Sequence, residues 1–212
     1  MAIKQVTLGQ LAEELKETKV TRGIQEVVLH HTWSPTAAQY RGQATWEAIR
    51  NYHVKERGWS DIGYHYGIGP DGTVWRLRPV TKSGAHVLNR NQHTVGVAMI
   101  GNFDVEDPMK NGLPVAAQVV RVLVDRFKLK PENIRFHREF ANKICPGTRL
   151  DLANFRALVM DATVKPLVMP PAKTTPVKIV NALSGKVIET VQMVPDGNHI
   201  ADQKKLYVRG AP

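Results

Sequence analysis

The sequence predicts an α/β domain with a single mixed β-sheet flanked by helices, followed by a small β-rich C-terminal module. Three observations carry this prediction. Over residues 1–162, short β-branched or apolar runs bounded by turn residues are interspersed with apolar residues at helical spacing, the pattern of one sheet covered by helices. At Thr163 the composition shifts: Pro166, Pro170, Pro171 and Pro176 fall among lysine and threonine, so residues 163–176 read as an extended linker. Beyond it, residues 177–212 offer only short strand patterns and turns. A module below about 40 residues rarely folds alone without a staple, so this tail is expected to pack, self-associate or order on a surface.

Taken in order, leucines at 8, 11 and 15 predict a short amphipathic helix over Leu8 to Glu17. The apolar run Gln25 to Leu29 predicts a buried strand that ends at His30 and His31, and strand alternation sends those two side chains to opposite faces. Thr45 is the expected N-cap of a helix over Trp46 to Arg57, with Trp46, Ile49 and then His53 or Val54 on one face and Gly58 ending it. Tyr64 to Ile68 and Thr73 to Leu77 read as hairpin partners around Pro70-Asp71-Gly72. Thr94 to Ile100 is a further strand, closed by Gly101-Asn102. Pro114 suits the first turn of a helix reaching about Phe127. Ile134 to Phe136 is a short strand that delivers His137, and Asp151 caps a last helix burying Leu152, Phe155 and Val159. In the tail, Val177 to Val180, Lys186 to Val191 and Leu206 to Val208 are strand candidates, with turns at Ser184-Gly185 and Pro195 to Asn198.

The 212 residues suffice for one full core. No apolar run reaches membrane-spanning length, and the first ten residues are too polar for a signal-peptide core. A single cysteine excludes an internal disulfide. The formal net charge of +10 points to an anionic partner. Nucleic acid and a wall rich in anionic polymers both satisfy that, but no helix-turn-helix, finger or arginine stripe with aromatic platforms is present.

The chemistry concentrates between Arg135 and Gly147, which holds His137, Lys143 and Cys145. Imidazole nitrogen and thiolate sulfur are the ligands zinc favours, and three protein ligands with one open position mark a catalytic zinc site. His30 is the best candidate for the third. Two bland readings stand beside this one: a buried cysteine is usually a small hydrophobe, and an isolated histidine such as His53, His93 or His199 is usually a hydrogen-bonded structural residue. A cysteine hydrolase with Cys145 as nucleophile and His137 or His30 as base uses the same residues.

Five fragments occur in order: Val28-Leu29-His30-His31-Thr32, Asp61 to Tyr66, Gly84-Ala85-His86, Gly96 to Asn102, and His137 through Cys145-Pro146. Together, over about residues 22–160, they resemble the zinc-dependent N-acetylmuramoyl-L-alanine amidases of the type 2 amidase and peptidoglycan-recognition-protein family, which includes phage endolysins. The resemblance implies the fold of that family, Zn2+ held by His30, His137 and Cys145, and catalytic roles for Tyr64 and Lys143. It further places His86 and Asn91 near the substrate groove and His31 beside the metal or the groove. His65 is expected to be structural, and strand alternation would put Tyr66 on the face of Tyr64. The implied reaction is hydrolysis, by zinc-activated water, of the amide between N-acetylmuramic acid and L-alanine of the stem peptide. The implied partners are bacterial peptidoglycan and anionic wall polymers, without nucleic acid or membrane insertion, and the oligomeric state stays open. With no signal peptide, the expected location is the host cytoplasm until release to the wall. A non-catalytic peptidoglycan-binding protein of the same fold is the alternative.

Overall fold

The computed structural model describes residues 2–163 together with the backbone of two later strands, 175–180 and 187–193. The chain divides into two units, residues 1–167 and 168–212. In the first, strands β1 (Lys4–Val6), β2 (Glu26–His31), β3 (Tyr66–Ile68), β4 (Val74–Arg76), β5 (Thr94–Met99) and β6 (Ile134–Phe136) form one sheet in the order β1-β4-β3-β5-β2-β6. β2 lies parallel to β5 and β6, β3 lies parallel to β5, and β4 is antiparallel to β3 and β1. The sheet is therefore mixed, as the interspersed elements predict.

Helices α1 (Leu8–Glu17), α2 (Gln43–Asn51), α3 (Leu113–Phe127) and α4 (Leu152–Asp161) cover it. Every residue of β2 and β5 is buried, which is why these strands read as nearly continuous apolar runs. One sheet face, with Val27, Leu29, Tyr66, Val97 and Met99, packs with Leu11 and Leu15 of α1, Leu123 of α3 and Phe155 of α4. The opposite face, with Ala98 and Trp75, packs with Trp46 of α2, Ile62 and Ile100. Gly67 is required there: a Cβ on it would lie 2.5 Å from the Trp46 ring.

Local signals set the helix ends. Thr7 and Gln10 close a capping box on α1, Pro114 occupies the first turn of α3, and the Asp151 carboxylate accepts from the Asn154 amide to cap α4.

Three local expectations are corrected. Thr45 does not cap α2; the helix starts at Gln43 after Gly42, and the Thr45 hydroxyl accepts from the Arg41 amide at 2.7 Å inside the first turn. A π-helical turn, Tyr52–Glu56, then continues the helix; it buries His53 and leaves Val54 exposed. The strand β3 begins at Tyr66, two residues later than expected, and Tyr66 lies in the main core while Tyr64 packs with the α2 side. β1 was not anticipated: it is three residues long and buries only Val6.

In the second unit, β7 (Thr175–Val180) pairs antiparallel with β8 (Val187–Met193). Thr175 and Pro176, expected in the linker, belong to β7. The remainder of the linker from residue 164, the strand candidate at 206–208, both expected turns and His199 lie outside the described residues. Among the described residues, no helix is long and apolar enough to cross a membrane.

Candidate active site

The β2–β6 register pairs Leu29 with Phe136, so His30 and His137 follow side by side at the C-terminal ends of adjacent parallel strands. That end of an open α/β sheet is where ligands collect. Their ring centroids lie 4.5 Å apart. Cys145 arrives on the loop after β6. The Arg138 amide donates to the Cys145 carbonyl at 2.8 Å, and the Arg138 guanidinium donates to the carbonyls of Gly147 and Leu150 at 2.8 and 2.7 Å. Gly147 completes the loop at φ +117°, where a Cβ would lie 2.5 Å from the Phe103 backbone. Only glycine meets both demands.

The result is a cluster in which one ligand atom from each of His30, His137 and Cys145 lies within 4.8 Å of the other two. Cys145 Sγ is 3.8 Å from His30 Nδ1. The cluster opens into a pocket of about 360 Å³ whose walls include Tyr64, Lys143, Trp33 and Ile144. Tyr64 is half-buried with its ring centroid 5.2 Å from that of His30, and Lys143 is exposed. Across Tyr64 and Thr32 the pocket adjoins a groove of about 610 Å³ bounded on the far side by α2. Two imidazoles and one sulfur facing an open pocket fit a three-ligand zinc site, and the soft sulfur disfavours magnesium or calcium.

His31 points to the opposite face, as alternation requires. Its Nδ1 accepts from the Phe103 amide at 3.3 Å, and its carbonyl accepts from Cys145 Sγ at 4.0 Å. His65 is structural: Nδ1 accepts from the Gly96 amide at 2.9 Å and Nε2 contacts the Lys82 carbonyl at 3.0 Å. His53 Nδ1 accepts from the Gly63 amide, and His93 bonds the Gly23 carbonyl. His86 and Asn91 occupy a different place from the groove the resemblance implied. His86 is buried behind His30, with Nδ1 3.0 Å from His30 Nε2. Asn91 Oδ1 accepts from the amides of His86 and Val87 at 2.7 and 2.9 Å and so fixes that loop. Sequence reasoning missed Trp33 and Ile144 at the pocket mouth, 60% and 54% exposed. Trp33 adjoins the first of the ordered fragments and Ile144 lies within the last, but no spacing marks either.

Burial sets the electrostatics. It holds His137 and His53 at about 4 and His65 at about 3, and keeps His30 and His86 well below the usual histidine value. It pushes the Tyr64 phenol upward, so Tyr64 stays an O–H donor, and raises the Cys145 thiol to about 12. The histidine shifts fix a stability trend. In the unfolded chain these imidazoles protonate near pH 6.5; in the fold they stay neutral. Below about pH 6.5 the unfolded state therefore binds more protons, and stability falls as pH drops toward 4, by up to about 1.4 kcal/mol per pH unit for a fully buried histidine such as His65. Thermal melts of chelator-treated protein should show a melting temperature steady from pH 7 to 8 and declining progressively below 6.5. A flat profile down to pH 4.5 would contradict the burial of neutral imidazoles.

Comparison with known proteins identifies the family. The family profile described as N-acetylmuramoyl-L-alanine amidase (Amidase_2) matches residues 20–148. The chain belongs to the N-acetylmuramoyl-L-alanine amidase family. The amidase-family region is 33% identical over 127 residues to peptidoglycan-recognition protein SC1a of Drosophila melanogaster, covering 58% of this chain and 68% of that protein. It is 38% identical over 102 residues to the endolysin of Klebsiella phage KP32, covering 47% of this chain and 67% of the endolysin. Among solved structures, a Drosophila PGRP-LB mutant in complex with tracheal cytotoxin superposes with a TM-score of 0.57 at 29% identity, covering 65% of this chain and 82% of that one. The sheet and its flanking helices are those of this fold.

Proposed function

We propose that the chain is a zinc-dependent N-acetylmuramoyl-L-alanine amidase of the endolysin type, cleaving the amide between N-acetylmuramic acid and L-alanine of the stem peptide. The observation that carries the reading is the convergence of His30, His137 and Cys145 within 4.8 Å, open to a pocket walled by Tyr64 and Lys143. When bound there, zinc supplies a Lewis acid for a carbonyl and makes a water nucleophilic near neutral pH. The Tyr64 O–H, held protonated, donates to the carbonyl oxygen as negative charge develops on it. The Lys143 ammonium adds positive charge at the mouth and a proton for the departing amine. Among the described residues lining the pocket none is a carboxylate, so the protein's own proton carriers there are Tyr64 and Lys143. The adjoining groove has room for the rest of a glycopeptide. A fixed location follows from this reading: the bacterial wall, reached from the host cytoplasm.

The cysteine-hydrolase alternative needs a thiol whose pKa is lowered. Cys145 has the reverse, a thiol raised by burial. Recognition without cleavage is the second reading, favoured by the similarity to peptidoglycan-recognition proteins. One experiment separates them: zinc content of the purified protein measured beside release of free stem peptide from purified walls. The expected result is about one zinc per chain, release abolished by chelator and restored by zinc. Wall binding without released peptide would leave the recognition reading.

A further inference from the structure

We propose that His86 is a positioning residue that sets the tautomer and orientation of His30 for metal binding; this rests on the zinc reading above and adds a residue behind the ligands. The Thr94 hydroxyl donates its single hydrogen to the Arg90 carbonyl at 3.0 Å. Toward His86 Nε2, 3.3 Å away, it can therefore only accept. That puts the proton of His86 on Nε2 and leaves Nδ1 as a bare acceptor. His86 Nδ1 lies 3.0 Å from His30 Nε2, so His30 carries its proton on Nε2 and donates it backward. The remaining lone pair of His30 is then on Nδ1, the atom that faces Cys145 Sγ at 3.8 Å. The chain Arg90–Thr94–His86–His30 thus selects which nitrogen meets a cation, the usual work of a group hydrogen-bonded to a metal-binding histidine.

The backbone is shaped for the same purpose. A Cβ on Gly96 of β5 would lie 2.8 Å from the His86 ring, and one on Gly84 would lie 2.5 Å from it. Two glycines therefore make the slot in which the imidazole stands, nearly perpendicular to His30 at an interplanar angle of 89°. Asn91 holds the loop that carries it by accepting from the His86 and Val87 amides.

The test is zinc affinity of the full-length protein, measured by competition with a chromophoric chelator, together with the visible spectrum of the cobalt-substituted protein. His86→Leu should weaken zinc binding by about 10- to 100-fold and alter the cobalt spectrum, with the far-ultraviolet circular dichroism retained. His86→Asn, whose amide oxygen restores an acceptor near the Nδ1 position, should recover most of the loss. Thr94→Val, which frees the tautomer while leaving the His86 ring in its slot, should give an intermediate loss and serves if the leucine variant does not fold. Wild-type affinity in a folded His86→Leu or in Thr94→Val overturns the positioning role. A wild-type chain that binds no zinc at all overturns the metal reading itself, and this inference with it.

Discussion

Replacing Cys145 with serine should strip the protein of zinc and of hydrolytic activity while leaving it folded. Cys145 is the only cysteine in the chain, and its Sγ lies 3.8 Å from His30 Nδ1 and 4.0 Å from the His31 carbonyl within the candidate cluster. A serine side chain is slightly smaller and creates no clash, and the loop is pinned by Arg138 and not by the sulfur, so it should hold. What is lost is a thiolate ligand. Apparent binding free energies of zinc in small structural sites run to about 10–16 kcal/mol. Shared evenly among three ligands, the sulfur accounts for about 3–5 kcal/mol, or roughly 10²- to 10⁴-fold in affinity. Metal analysis after dialysis, amide hydrolysis on purified walls and a thermal melt measure the three outcomes. A Cys145→Ser protein that remains active without zinc would refute the ligand assignment. A variant that keeps full zinc but loses activity would instead move Cys145 from ligand to nucleophile.

How far the sequence reaches is seen in the three ligands themselves. His30 and His137 were legible because each ends an apolar, β-branched run, and such a run predicts both a buried strand and the place where its C-terminal residue emerges. Their adjacency was not legible from either run, since it needs β6 to pair with β2 across more than a hundred residues of chain. Tyr64 shows the opposite limit. Strand alternation assumes the strand includes the residue in question, yet β3 starts at Tyr66, and the backbone before it turns the phenol of Tyr64 toward His30 while Tyr66 enters the core. Thr45 misled as a cap because its hydroxyl has a local competitor, the Arg41 amide, and a threonine one turn into a helix satisfies that donor equally well. The location of His86 was also out of reach. Its ring fits only where Gly84 and Gly96 both leave space, a three-body condition that no periodicity expresses.

Tyr64→Phe should give the complementary phenotype: zinc retained, turnover lost. The change removes one oxygen and leaves the ring that packs beside His30 and the α2 face, so neither the ligand geometry nor the fold depends on it. If the phenol donates to the developing oxyanion, turnover should fall by about 10²–10³-fold, equivalent to about 2.7–4 kcal/mol of transition-state stabilisation. KM should change little, because the interaction strengthens only as charge accumulates. Tyr66→Phe supplies the control. It makes the same chemical change two residues away in the core on the other sheet face, where the rate should be unaffected. Equal activities in the two variants would remove Tyr64 from the mechanism and leave Lys143 as the pocket's cationic donor. A large drop in Tyr64→Phe accompanied by zinc loss would mean that the hydroxyl supports the metal cluster instead of the reacting carbonyl. The two assignments are distinguishable because the donor and the ligands are different side chains, carried by different segments of the chain, that meet only at the mouth of one pocket.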